Sequence, residues 1–472
     1  MNQRITIKII IAIAFLALPF FLQGQATPAE HAAANVAGNG VNMLNILRGL
    51  LGIAVLIGLG YLLSSNRGAI RWRTILIGLA IQVVIALAVL KVPVVMYFFE
   101  FVGKMFIKVL DSSNAGSDFL FKSFVSNEME IGLINFAFRI LPTIIFFSAL
   151  TSVLFYYGII QKVVYGLAWL LTKALHVSGA ESLSAASNIF LGQTESPLLI
   201  KEYLEKMNRS EIMLVMVGGM ATIAGGVLAV YIGLLGGEDP QGKLLFAKHL
   251  ITASVMAAPG AIVMAKLLVP QTDPIISEIR ITREKVGSNI LDAIANGTGQ
   301  GIRLAVNVAA MLIVFIAFVY LVNFILMKVG DWTNLNQFIA AVSGGQYEHF
   351  SLQFMLGYSL APLTWLLGVS GPDITLVGQL FGEKIILNEM IAYISLKDLL
   401  AAGVFTEQKS IIMVTYMLCG FANVGSVGIL LGGIGALAPG QKLNLSRLGF
   451  KALLGGGMAS LLSATIIGML FS

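Results

Sequence analysis

Long apolar runs separated by short polar breaks dominate the chain. Ile46 to Leu63, Ile75 to Val95, Met213 to Leu235 and Met311 to Met327 each approach the roughly 20 apolar residues that a helix needs to cross a hydrocarbon core. The runs are continuously apolar and rich in Leu, Ile, Ala and Gly, whereas strands of a membrane barrel would alternate over about 10 residues. The pattern predicts an all-α integral membrane protein and excludes a barrel.

Two apolar segments fit a threaded topology only as re-entrant hairpins, because each begins and ends on the same side of the bilayer. The first, roughly His176 to Tyr203, is interrupted by Gly192-Gln193-Thr194-Glu195-Ser196-Pro197. The second, roughly Phe350 to Leu396, is broken at Gly368 to Asp373 and carries Asn388-Glu389 among apolar neighbours. A helix with a glycine-rich polar middle follows each hairpin, at Gly218 to Gly226 and again at Cys419 to Ser426. The order hairpin, broken helix, helix therefore occurs twice. With an odd number of crossings between them the copies face opposite ways, which is the inverted-repeat plan of many secondary transporters.

Composition agrees with burial in lipid. Of 472 residues, 57% are hydrophobic and 11% charged, against about 25% charged in a soluble domain. The net charge of +6 comes from short loops between spans and not from one continuous basic face, so it signals topology and not nucleic acid. Basic clusters at Arg67 to Arg73, Lys201 to Arg209, Arg280 to Lys285 with Arg303, and Lys442 to Lys451 mark the cytoplasmic side. Threading the spans between them puts the mature N-terminus and the C-terminus outside. Residues 1–26 have a basic start, an apolar run and the small-residue exit Gly24-Gln25-Ala26, the plan of a cleavable signal peptide, with an uncleaved first helix as the alternative. Cys419 is the single cysteine and the four histidines are scattered without HExxH or CxxC, so disulfides and structural zinc have no support.

The candidate chemistry sits at the breaks. Gln193, Thr194 and Glu195 are consecutive and would diverge by about 100° each on a regular helix, but can converge at an unwound tip. Gly192 and Pro197 favour such a break. An ordinary surface loop is the competing reading, and an intramembrane carboxylate argues against it. Glu389 is flanked by apolar residues on both sides, so its charge is paired, solvated by a cavity or protonated; an ion pair with Lys384 or Lys397 is the structural alternative. Thr222 and Asn423 lie where each glycine costs a helix interior about 1 kcal/mol relative to Ala. Close packing of small residues is the plainer explanation, and it suits Gly455 to Gly457 better than Phe421-Ala422-Asn423.

With these residues in view, the chain resembles the concentrative nucleoside transporter family. The similarity runs from about Leu44 to the end and is most specific at Gly192 to Pro197, Thr252 to Val269, Ala295 to Val314, Asn388 to Tyr393 and Gly420 to Ile429. The resemblance implies that Gln193, Thr194 and Glu195 read the nucleobase, directly or through water. It implies an apolar wall at Val227, a ribose site of Glu389, Asn423 and Ser426, and Phe421 near the base. It also implies a sodium site of the Asn188 side chain, the Leu191 carbonyl, the Thr222 hydroxyl and the Ile223 carbonyl. Some members use protons, and Asn188 with Thr222 favours sodium; no organic cofactor is implied. The chemistry fits a free nucleoside, whose vicinal hydroxyls a carboxylate can accept and whose base edge Gln can match. None of these residues is Arg or Lys, which a nucleotide's phosphate would be expected to need.

The resemblance implies a homotrimer in the cell inner membrane, with eight spanning helices, two re-entrant helical hairpins and interfacial helices. Its divisions fall at 27–172 (scaffold helices and interfacial segments), 173–270 (first hairpin and transport-domain helices), 271–348 (cytoplasmic interfacial segment, scaffold helix and outer loop) and 349–472 (second hairpin and the last two transport-domain helices). Three departures touch the site: Ser196 where Ala is usual, Met390 where Phe is commoner, and Val424-Gly425 before Ser426 where an aromatic or Leu and a Ser are expected. They leave purine versus pyrimidine preference open. A same-fold carrier of another polar metabolite is the nearest rival. A membrane hydrolase using Glu195 and Glu389 as an acid and base pair is the rival from another class, and no nucleophile or metal motif accompanies those carboxylates.

Overall fold

The structure, a computed structural model, describes residues 43–107, 110, 141–237, 239–275 and 287–471. The expected signal peptide, residues 1–26, and the basic cluster Arg280 to Lys285 lie outside them. Among the described residues the chain is helical throughout, with no strand.

Two helices open the described chain, α1 (Met43–Leu63) and α2 (Trp72–Lys91), and residues 93–107 are helical too. Helices α3 (Leu141–Tyr156) and α4 (Ile159–Leu175) meet at a 76° bend, where Gly158 takes φ +71°. The first hairpin follows as α5 (Gly179–Ser187), an unwound tip, and a return arm of 3-10 helix (Ser196–Ile200) and one α-turn (Lys201–Leu204). Next come the two halves of a broken helix, α6 (Arg209–Ala221) and α7 (Gly225–Gly236), then the long α8 (Pro240–Leu268).

Helix α9 (Ile290–Thr333) has 44 residues, about 66 Å at 1.5 Å per residue, so it outreaches the hydrocarbon core. Only 6% of its most apolar window is buried, against 89% for α8. Its inner stripe of small residues packs on α3: a Cβ at Gly301 would lie 2.7 Å from the Ile145 Cα, and one at Gly297 2.6 Å from the Ser152 Cβ. Small residues let two backbones approach where lipid offers no hydrophobic drive to associate. The Ser152 hydroxyl closes the contact by donating to the Ala293 carbonyl at 2.7 Å.

The second half begins with a short α10 (Leu335–Val342) and α11 (Leu352–Leu366). Helices α12 (Ile374–Ile386) and α13 (Glu389–Ala401) form the second hairpin. The broken helix α14 (Gln408–Leu418) and α15 (Val424–Leu437) and the final α16 (Lys442–Leu470) complete the chain. The sequence placed this hairpin's break at Gly368 to Asp373. That segment instead joins α11 to α12, with Gly368 at φ +95°, and the tip is the turn at Leu387-Asn388. Asn388 makes that turn by capping α13, its side chain accepting from the Ile391 amide at 2.9 Å.

Six helical segments are long and apolar enough to cross a membrane among the described residues, or seven if the bent pair counts as one span. The pair α14 and α15 is not among them: its halves have 11 and 14 residues and a longer break, residues 419–423, than the one between α6 and α7. The core of the molecule is built from α6, α7, α8, α12, α14 and the second half of α16, most of whose residues are buried.

Candidate substrate and cation site

A hairpin arm in this fold must satisfy its own backbone, and the first hairpin does so with serines. Ser178 and Glu181 form a capping box at the start of α5. At its far end the Ser187 and Ser196 hydroxyls bond to each other across the hairpin, and Ser196 also donates to the Ser184 carbonyl at 3.2 Å. The family departure at Ser196 is therefore a tie between arms. At the base, Lys266 of α8 forms a buried ion pair with Glu181 and donates to Ser210 at 2.9 Å and Gln271 at 3.0 Å, fixing the hairpin to α6 and α8.

The two tips, the second break and α7 meet in one hydrogen-bonded chain. Gln193, at the first tip, donates from Nε2 to the Ser426 hydroxyl at 3.2 Å. The Ser426 amide donates to Asn423 Oδ1 at 2.8 Å, which caps α15. Asn423 donates from Nδ2 to Glu389 Oε2 at 3.0 Å, and the other Glu389 oxygen accepts from the Tyr231 hydroxyl at 3.2 Å. Tyr231 belongs to α7 and stacks on Tyr393 of α13, with ring centroids 4.1 Å apart. All of these side chains are buried. The Gln193 Oε1 atom is buried and has no partner, a hydrogen-bond acceptor held ready for a donor.

Glu389 does not pair with either lysine that the sequence offered. Lys384 donates instead to the Met417 carbonyl and Ser460, and Lys397 pairs with Asp398. Tyr231 was missed by sequence reading, although it is the one polar side chain in the α7 sequence.

Not every candidate joins the chain. Glu195 and Val227 line a cavity of about 460 Å³ between the first hairpin and the faces of α3 and α9, with Phe190, Asn296, Gln300 and Arg303. Arg303 puts a basic group on the wall of this cavity, outside the set of site residues named from the sequence. Glu389 does not line this cavity, so the two carboxylates proposed as an acid and base pair face different surroundings. Glu195 turns back to accept from the Gly192 amide at 3.3 Å. Thr194 is exposed and lies toward Gly433 of α15, where an added Cβ would stand 3.4 Å from the threonine methyl. Phe421 is half-buried in the second break.

At the first break, Asn188 caps α5 and lies against the last turn of α6, where a Cβ at Gly218 would come 3.1 Å from its Nδ2. Its Nδ2 donates to the Ser184 carbonyl at 2.9 Å, while its Oδ1 and the Ser184 hydroxyl are buried without partners. Thr222 takes an extended conformation between α6 and α7, and its hydroxyl donates to the Gly218 carbonyl at 2.9 Å. Phe190, between Asn188 and Leu191, accepts through its carbonyl from the Gly225 amide at 3.0 Å. Unwound backbone and an orphaned side-chain oxygen are neutral hard donors, the set that a monovalent cation takes in carriers of this architecture. Among the described residues no group of three or more His, Cys, Asp or Glu could hold a metal ion.

Paired hairpins, paired broken helices and a polar chain joining them inside apolar helices define a multi-pass membrane carrier of a polar solute. The chain belongs to the Na+-dependent nucleoside transporter family. Family models match the N-terminal part at residues 51–124, a nucleoside-recognition gate at 137–238 and the C-terminal part at 249–468. The nucleoside permease NupC of Helicobacter pylori is 38% identical over 425 residues, covering 89% of this chain and 96% of its own. The putative nucleoside permease NupX of Escherichia coli is 36% identical over 434 residues, covering 90% and 99%. The sodium/nucleoside cotransporter 1 of Rattus norvegicus is 36% identical over 436 residues, covering 89% of this chain and 63% of its own. The fold matches the solved structure of CNTnw in an inward-facing substrate-bound state, with TM-score 0.80 and 38% identity over 90% of this chain and 97% of that one. It matches an outward-facing CNTnw variant equally well, at TM-score 0.80, 37% identity, and 91% and 98% coverage. The protein is a transporter and not an enzyme.

Proposed function

We propose that the protein takes up free nucleosides by symport with sodium, through alternating access. The observation that carries this reading is the chain from Gln193 through Ser426 and Asn423 to Glu389 and Tyr231, which has donors and acceptors for a neutral polar solute and no basic group. In it Glu389, Asn423 and Ser426 hold the ribose hydroxyls, Gln193 meets the base edge with its free Oε1, and Phe421 packs near the base. Thr194, Glu195 and Val227 complete the base side, the last two from the cavity wall. Sodium is cargo, held by the Asn188 side chain, the Leu191 and Ile223 carbonyls and Thr222; the orphaned Asn188 Oδ1 supports that assignment.

The protein sits in the cell inner membrane as a homotrimer with both termini outside. Among the described residues, counting the bent pair and the broken pair α14 and α15 as one crossing each agrees with a plan of eight spans. Segments before Lys173, with the central part of α9, act as the scaffold and trimer contact, and the hairpin-bearing helices move against them. Uptake of radiolabelled uridine and adenosine into proteoliposomes tests the whole reading. Accumulation on an inward sodium gradient supports it, accumulation on a proton gradient alone removes sodium, and no accumulation by folded protein points to a different polar metabolite.

A further inference from the structure

The two halves of the repeat carry different groups at equivalent places. In the first half the end of α5 meets the break between α6 and α7 through Asn188, whose side-chain oxygen lacks a partner. In the second half the corresponding arm, α12, meets the break between α14 and α15 through Lys384. Its Nζ donates to the Met417 carbonyl at 2.7 Å and to the Ser460 hydroxyl at 3.2 Å. Ser460, on α16, donates in turn to the Cys419 carbonyl at 2.9 Å. Met417 and Cys419 bracket the end of α14, where carbonyls have no following turn to bond and the helix dipole is negative.

A lysine stem commonly lets the ammonium reach water from an apolar surface. Lys384 does not use it that way, since it is 0% exposed. None of the ion pairs among the described residues includes it; besides the two oxygens, its Nζ faces the Phe381 ring at 5.9 Å from the centroid, and a buried ammonium without a counter-charge in contact costs several kcal/mol. A neutral amide could donate to the same two oxygens more cheaply. The position therefore uses the charge itself, and carbonyl and hydroxyl oxygens around a positive charge are what a free cation would meet at such a break.

We propose that the Lys384 ammonium is a tethered cation, standing in the second half where the exchangeable sodium stands in the first. The proposal rests on the sodium reading above and deepens it. The second break is held in place throughout the cycle, so Glu389 and Asn423 are presented before sodium arrives. The first break, with Gln193, is organised only when a cation binds. One sodium per cycle follows from a fold that contains two breaks of the same design.

The experiment compares wild type with Lys384→Ser, Lys384→Met and Lys384→Arg in proteoliposome uptake against sodium concentration. A Hill slope of about one is expected for wild type and Lys384→Arg, rising toward about two with a several-fold higher half-saturation in Lys384→Ser, because the second break then needs a free cation. Lys384→Ser or Lys384→Met with the wild-type slope and half-saturation overturns the proposal. Where Lys384→Ser gives no uptake, melting of the purified protein in sodium against choline decides. Stabilisation that climbs more steeply with sodium than in wild type supports the tethered cation, and melting that is low and indifferent to sodium refutes it. If wild type itself ignores sodium, the first-half reading fails by itself. Lys384 is then judged by stabilisation on adding uridine: retention in Lys384→Arg with loss in Lys384→Met supports its role, and equal behaviour of the two overturns it.

Discussion

The amide of Phe421 donates to the carbonyl of Thr222 at 3.2 Å, so the two broken helices are joined to each other at their breaks. Thr222 belongs to the proposed cation site and Phe421 to the proposed nucleoside site. The first break is therefore positioned against the second by a single backbone hydrogen bond, with no intervening side chain. Coupling between two ligands requires an element whose arrangement both of them bias; on the proposed reading that element is the first break, which sodium organises and which this bond ties to the fixed second break.

Gly420 makes the crossing possible. It takes φ +136°, and an added Cβ would lie 2.7 Å from the Ala221 carbonyl oxygen. Both the backbone angle and the contact exclude a side chain, and the neighbour is backbone that cannot rotate away. Gly420→Ala is expected to lower uptake by at least about tenfold and to weaken the effect of sodium on nucleoside binding, measured by titration calorimetry with and without sodium. Unchanged coupling in the folded variant would remove the crossing from the mechanism.

Glu389 accepts from Tyr231 and Asn423 at 3.2 and 3.0 Å, leaving its remaining lone pairs for ribose hydroxyls. Glu389→Gln keeps the size but loses acceptor capacity and charge, so riboside uptake should fall by about tenfold to a hundredfold while melting stays close to wild type. Tyr231→Phe should raise the half-saturating nucleoside concentration by several-fold, because the carboxylate loses one orienting donor. Normal transport by Glu389→Gln would reject the ribose assignment.

The same logic gives a separable test of the cation site. Asn188→Ala removes the unpartnered Oδ1 and leaves the Glu389 chain intact. The half-saturating sodium concentration for uptake should rise by roughly tenfold, the value of one lost oxygen ligand to a charge. Nucleoside affinity at saturating sodium should stay within about twofold of wild type. A fall in nucleoside affinity that excess sodium leaves uncorrected would place Asn188 in the substrate site instead.

Much of this was legible in the sequence, because lipid imposes simple rules. Continuous apolar runs announced the helices, polar residues in the hairpins singled out Gln193 and Glu389, and the glycine-dense middles singled out Thr222 and Asn423, whereas Ser426 was named through the family resemblance. The second hairpin's tip was misplaced for an equally physical reason. Gly368 to Asp373 contains two glycines and a proline, the loudest turn signal, whereas the real tip at Leu387-Asn388 turns without either, by an asparagine cap. Tyr231 was silent because one tyrosine in an apolar helix reads as packing until its hydroxyl is seen on Glu389. The split of Gln193 and Glu195 between the polar chain and the cavity wall follows from tip geometry, which three consecutive letters do not carry.

The scaffold makes a prediction of its own. At Gly301 of α9 a side chain would meet the Ile145 Cα at 2.7 Å and the Ile145 carbonyl oxygen at 3.0 Å, so α3 and α9 could accommodate it only by moving apart as whole helices. That separation would also break the Ser152 to Ala293 bond at 2.7 Å and open the cavity wall that Asn296 and Gln300 share with Glu195. Overpacking of this kind costs about 1–3 kcal/mol or more, and in a membrane no compensating burial follows, since lipid is as apolar as the helix face. Gly301→Leu is expected to lower the melting temperature clearly and to reduce uptake of every nucleoside alike, with sodium half-saturation unchanged in whatever protein remains folded. Gly166, on the neighbouring α4, has no atom within 4 Å of its would-be Cβ, and Gly166→Leu is the matched control that should leave melting and uptake near wild type. Equal tolerance of the two substitutions would mean that α3 and α9 are not a rigid pair, and the moving boundary would then have to be drawn between them.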